Sequence, residues 1–298
     1  MLIAAHPHAK DNLLNFQALD HIYLYIPTGK PVRKSVTSLI KAAFDDFDPE
    51  AVSQIGLSKW YSDENHKYYP LCKYLLDIQE LTRPAAEREI CKLWESIGRE
   101  AAVAGTFVHT ELEEYVETGC PAVESGITRH WPLVLYDKFT QEFYPEMLLK
   151  PWRTEFKCCY TVKSPRDGVD VPVVCGTVDL ILRDRVGRFW VCDYKTTNPM
   201  KKGLLGDNCK SRFRRNPAGV PFEKFSKTDF DKYSAQLAIY CWILRECYGM
   251  TIAGSFIIQL HQSMERAHWK QTLEMDEEVA TLMRIEAVNA LLEYNSEL

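Results

Sequence analysis

Nowhere in the 298 residues does an apolar run approach the roughly 20 residues of a membrane span, which argues against a helical membrane protein. The opening Met-Leu-Ile-Ala-Ala-His-Pro-His lacks the basic start and extended apolar stretch of a secretory signal, so an intracellular location is expected. No Gly-x-x-x-x-Gly-Lys-Ser/Thr loop occurs, which removes the usual ATP site. There is no internal repeat and no low-complexity tract. An excess of positive charge is missing too: the net charge of −5 excludes a chain coated in basic surface while leaving room for a local basic channel. The ten cysteines are scattered, and Cys175, Cys192 and Cys241 fall inside expected strands and helices. They read as reduced, buried thiols rather than a disulfide framework. What remains is ordinary for a folded chain, 46% hydrophobic and 26% charged, long enough for one large domain or a core with an added lobe.

The most informative stretch is Gly176-Thr-Val-Asp179, followed by Asp193-Tyr-Lys195. Both lie in runs rich in β-branched and apolar residues, and the polar segment Arg183–Arg188, with its Gly187, reads as a hairpin turn between two strands. Side chains on a strand repeat every two residues, so Asp193 and Lys195 share a face that Asp179 can reach from the neighbouring strand. An unpaired charge inside an apolar strand is costly. Two converging carboxylates repel unless a hard divalent cation lies between them, and a lysine beside them suits an anionic substrate or a bound water. Nucleic-acid hydrolysis is the first function this pattern raises.

Upstream, His21–Ile26 reads as part of a hairpin, and Ser35–Phe44 as a helix capped by its hydroxyl residues. Residues 45–100 read as an interrupted, aromatic-rich helical segment. A helix over 85–104 is expected to stop at Gly105, with another over 106–118 placing His109 and Glu113 on one face. Residues 131–150 read as helix, then 152–162, 173–182 and 188–196 as strands. A long polar connection over 197–230 leads to a helix over 232–248, strands over 254–261 and 268–274, and a closing helix over 276–294. This order predicts an α/β (α+β) protein with helices around a sheet.

Six features stand in a telling order: Ser35-Val-Thr37, Gly105-Thr-Phe-Val-His109 with Glu113, Glu155, Gly176-Thr-Val-Asp179, Asp193-Tyr-Lys195, and Gln236-Leu-Ala-Ile-Tyr240. Together they resemble the PD-(D/E)XK nuclease superfamily, and within it the RecB-like exonuclease branch that includes mitochondrial genome maintenance exonucleases and related nucleases of large DNA viruses. The resemblance spans about residues 35 to 240. It implies a restriction-endonuclease-like core, a mixed central sheet flanked by helices, over 101–298. Residues 1–100 would then be an N-terminal hairpin and helical lobe within the same domain.

The resemblance also implies roles. His109, Asp179 and Asp193 would bind Mg²⁺ or Mn²⁺, completed by the main-chain carbonyl of Tyr194. Lys195 would position or activate the attacking water, Glu155 would assist at a second metal or orient a water, and Gln236 and Tyr240 would brace the site and contact the strand near the scissile phosphate. Tyr233, Tyr240 and Thr37 would lie along the DNA. The CRISPR-associated branch carries an iron–sulfur cluster on cysteines after the Gln-x-x-x-Tyr helix; here Cys241 and Cys247 alone cannot complete four thiolates, so no cluster is expected.

Between 199 and 227 eight Lys/Arg face two acids, a local charge of +6 that includes Lys210, Arg212, Arg214 and Arg215 and suits a phosphate backbone. Tyr23, Tyr25, Trp60 and Tyr61 are candidates for stacking on bases. The reading is therefore a metal-dependent DNA exonuclease acting on single-stranded DNA or duplex ends, in replication, repair or recombination, with no membrane partner. Its rivals are a structure-selective or nicking endonuclease, a catalytically inactive DNA-binding module and an RNA-cleaving enzyme.

Overall fold

The β-branched and apolar run from Val171 to Leu182 forms one long strand, and the other strands of the main sheet are arranged around it. The structure is a computed structural model and describes residues 1–17, 22–44, 47–118, 131–198, 221–223, 225 and 228–296. It begins with α1 (Leu2–Ala5) and a small antiparallel sheet of β1 (Leu14–Gln17), β2 (Ile22–Tyr25) and β3 (Lys30–Pro31). Then come β4 (Lys34–Ser35) and α2 (Val36–Ala43). Ser35 caps α2 reciprocally with Ser38, as the hydroxyl-rich start predicts.

The chain divides into two compact units, Asp46–Phe107 and the combination of Met1–Asp45 with Val108–Leu298. The first holds α3 (Pro49–Tyr61), α4 (Tyr69–Lys73) with a π-helical turn over Tyr74–Ile78, and most of α5 (Arg83–Thr118). Leu57, Trp60, Cys72, Leu75, Ala86 and Ile90 form its own core. The expected lobe of 1–100 thus has different bounds: its N-terminal hairpin groups with the sheet. The expected break at Gly105 does not occur either, and α5 runs on without interruption. One glycine inside a helix costs only ~1 kcal/mol, which the helix-forming residues around it offset.

In the larger unit follow α6 (Trp131–Met147), β5 (Lys150–Lys163), β6 (Asp170–Arg183), β7 (Phe189–Lys195), α7 (Asp229–Tyr248), β8 (Ile252–Gln259), β9 (His268–Gln271) and α8 (Asp276–Ser296). β5–β6, β6–β7 and β8–β9 pair antiparallel, while β4–β6 and β7–β8 pair parallel. The sheet is therefore mixed and flanked by helices on both faces, as expected. One face buries residues of α2, α7 and α8 with Phe156, Val174, Val178 and Ile257. The other buries Val108 and Leu112 of α5 and the aromatic row of α6 against Leu180, Leu182, Cys192, Tyr194 and Phe256. Among the described residues no helix is long and apolar enough to cross a membrane.

Candidate metal centre

β5 runs the whole length of one edge of β6. On the other edge β4 pairs only at Val174 and Cys175, and β7 only from Leu180 to Arg183. Gly176-Thr-Val-Asp179 occupies the gap between these two partners. The ring of Tyr240 from α7 packs against it: a Cβ at position 176 would lie 2.7 Å from the Tyr240 hydroxyl and 2.8 Å from Cε1. Only glycine admits that approach. At the far end of the gap, Tyr194 N–H donates to Asp179 Oδ2 at 2.9 Å, a side-chain oxygen standing in for the ladder partner that β6 has lost.

Around this gap the donors converge. His109, Glu155 and Asp179 each bring a possible ligand atom within 4.8 Å of the others. His109 comes from α5, Glu155 from β5 and Asp179 from β6. The β5–β6 pairing runs Thr154–Leu180 and then Phe156–Val178, omitting Glu155 and Asp179 between them. Glu155 holds a left-handed backbone, φ 43°, a conformation rare for residues other than glycine. The imidazole spans two acceptors, with Nδ1 3.3 Å from Asp179 Oδ2 and Nε2 3.1 Å from the Tyr194 carbonyl.

Lys195 pairs with Asp193 Oδ2, and Gln236 of α7 donates to Asp193 Oδ1 at 3.3 Å. The Tyr233 ring lies 4.8 Å from the Lys195 ammonium, with its hydroxyl 3.2 Å from Thr197 Oγ1. Asp193 is thus held by the lysine and the glutamine, and the three-donor group contains Glu155 in the place that the resemblance assigns to Asp193. The Tyr194 carbonyl, expected as a ligand, accepts from His109.

The electrostatics follow from burial and crowding. Burial pushes the Glu155 carboxyl up to about 8, with Asp179 and Glu113 adding to it. Burial opposes a charge on His109, yet the Asp179 carboxylate, with Asp193 behind it, outweighs this and takes the imidazole up to about 9. Burial likewise opposes ionisation of Asp179, but His109, Lys195 and the Tyr194 amide hold its carboxyl below the usual value. Burial raises Asp193 to about 6 against the pull of Lys195. The Lys195 ammonium resists desolvation because Asp193 and Asp179 keep it charged.

Other expected positions fall less centrally. Tyr240 is 3% exposed and supports Gly176 from within the core, so its ring offers no surface to DNA. Thr37 is exposed in the first turn of α2, just after the β4–β6 pairing. Tyr25 and Trp60 are core residues, and Tyr61 donates to Asp77. Lys210, Arg212, Arg214 and Arg215 lie outside the described residues. Glu113 is half-buried and raised by burial and by Glu117. Sequence reasoning missed Glu117, whose Oε1 accepts from Thr154 Oγ1 at 2.7 Å and Oε2 from Leu2 N–H at 2.6 Å. Its place eight residues after His109 on one helix face is the signal that was there to read.

The molecule is therefore a mixed α/β protein with a His/Glu/Asp group able to hold a metal ion: one nitrogen and two carboxylates converge, with extra acid present that a cation would offset. No known family profile matches the sequence, and no curated protein does. Among solved structures the chain is similar to that described as the crystal structure of SSO0001, at 16% sequence identity over 84% of this chain and 88% of that one, with a TM-score of 0.30. A likeness so loose carries no argument about function.

Proposed function

We propose that the protein is a divalent-metal-dependent deoxyribonuclease of the PD-(D/E)XK type, an exonuclease hydrolysing phosphodiester bonds in single-stranded or end-accessible DNA during replication, repair or recombination. One observation supports this above the others: the His109, Glu155 and Asp179 donors meet at a gap in a mixed sheet, with the half-buried Lys195 close enough to act on Asp179. These three residues would hold Mg²⁺ or Mn²⁺, since carboxylates satisfy a hard cation and Mn²⁺ also accepts imidazole. When bound, such an ion acidifies a coordinated water and offsets charge on phosphate.

The residues themselves do the rest. His109 gives up its proton on ligation, because a ligating imidazole is neutral. Glu155, whose carboxyl burial raises, would serve as a ligand in its ionised form and would orient or deprotonate a water. Lys195 keeps its charge beside two acids and directs it at the negative charge that grows on phosphate. Gln236 and Asp193 fix that lysine, and Tyr233 covers it.

The test is digestion of end-labelled linear and of circular single-stranded DNA with Mg²⁺, Mn²⁺ or chelator, beside a Lys195→Ala variant. Metal-dependent loss of the linear substrate, absent from the variant while DNA binding persists, is expected. Cleavage of circles points to an endonuclease, equal cleavage of an RNA oligomer to a less selective enzyme, and no cleavage with either metal rejects the proposal.

A further inference from the structure

We infer that Lys157, with the hydroxyl pair of Tyr23 and Thr177, forms a subsite for the backbone phosphate next to the one at the metal centre. The substrate class rests on the nuclease reading above; the geometry does not. In the β5–β6 register Lys157 lies opposite Thr177, one alternation along from Glu155 and Asp179. Strand periodicity sets Lys157 on the Glu155 side of β5, while Phe156 and Cys158 point into the core behind. One alternation further, Cys159 and Cys175 pack against Leu14 and Tyr25 of the small sheet. Lys157 and Thr177 thus form the row between the metal centre and that sheet, and Tyr23 reaches down to it, its hydroxyl 2.9 Å from Thr177 Oγ1.

The Lys157 residue is half-buried, and its side chain makes no hydrogen bond or ion pair with any described residue. It is nonetheless near enough to act on both Glu155 and Glu113. A lysine side chain beside acids that a metal ion would claim is suited to an incoming anion. The Thr177 hydroxyl on the facing strand and the Tyr23 hydroxyl from β2 bond each other, which leaves one O–H of the pair to donate to the same oxygens. Two residues of strand advance ~6.6 Å, comparable with the step from one backbone phosphate to the next in an extended strand. Lysine acts here as a point charge, which tolerates any base sequence.

The experiment measures binding of a labelled single-stranded oligothymidylate by fluorescence anisotropy over a salt series, with Ca²⁺ replacing the catalytic ion, alongside Mn²⁺ binding by calorimetry without DNA. Lys157→Gln is expected to weaken oligonucleotide binding about tenfold and to reduce the slope of log affinity against log salt by about 0.7, the value of one single-strand phosphate contact. Lys157→Arg should restore both, Tyr23→Phe should weaken binding severalfold with the slope unchanged, and Mn²⁺ should bind Lys157→Gln no more weakly than the parent. The subsite is overturned if Lys157→Gln binds like the parent, if Lys157→Arg is as weak as Lys157→Gln, or if Lys157→Gln loses Mn²⁺, which would make the lysine a support of the centre. A parent protein that binds in this manner but cleaves no DNA rejects the nuclease reading and leaves the subsite standing.

Discussion

Glu155 is one of three residues other than glycine, with Glu80 and Leu148, that hold a positive φ among the described residues. A left-handed backbone costs a residue with a Cβ ~1–2 kcal/mol, and here the same residue also buries a carboxyl beside Asp179. Such strain persists only where the surrounding structure over-determines it. Glu155→Asn, which tolerates the conformation and removes the charge, is therefore expected to stabilise the fold by ~1 kcal/mol, raising Tm by about 2–4 °C. Metal-dependent hydrolysis should be abolished in the same protein, and calorimetry beside a nuclease assay checks both. At this scale the sequence was partly legible. His109, Asp179, Asp193, Lys195 and Gln236 were found because each sits in a spaced pattern, and the structure gathers them around one gap. Glu155 was expected beside the site, at a second metal or orienting a water; that its carboxylate comes within reach of both His109 and Asp179 was not legible, because it depends on a φ angle and on an omitted pair in the ladder.

Among the elements, β5 and β6 carry most of the construction, and the N-terminal segment is tied to β5 by side chains with no sequence signature. Arg153 donates to the His6 carbonyl at 2.8 Å and to both oxygens of Asp11, at 3.1 and 3.2 Å. Burial works against ionised Asp11, but the bonds from Arg153 and the His8 amide outweigh it and hold its carboxyl below the usual range. With a folded pKa under the unfolded value, this pair contributes fully at neutral pH and is lost as pH falls through the folded pKa. Asp11→Asn should cost ~2 kcal/mol at neutral pH, less than the roughly 3–5 kcal/mol of a fully buried pair because the Asp11 side chain is 18% exposed. The two proteins' urea midpoints should converge as pH falls through the folded pKa of Asp11, which lies below the usual carboxylate value. The longer strands β5 to β8 and the longer helices were visible as alternating or helical patterns, whereas the short α1, β1, β3 and β4 were not. The run through Gly105 was not, since a lone glycine signals a stop only when its neighbours also favour one.

For the molecule as a whole, a ligand that binds only the folded chain must raise its stability. At a free Mn²⁺ concentration of 100 Kd the gain is ~2.7 kcal/mol, seen as a Tm that climbs with metal concentration. His109→Ala should flatten that dependence, and a thermal shift unchanged in the variant would place the ion elsewhere. The division into Asp46–Phe107 and the rest was beyond the sequence reading, because it follows from which distant segments touch rather than from composition. The gap in β6 has a consequence for descendants of this chain. One oxygen of Asp179 fastens the Tyr194 amide and also faces the imidazole of His109. Architecture and chemistry lean on a single atom, so a lineage that had given up hydrolysis would still have a mechanical reason to retain its aspartate. On the nuclease reading proposed above, the left-handed glutamate opposite is the residue whose disappearance would mark a silenced copy.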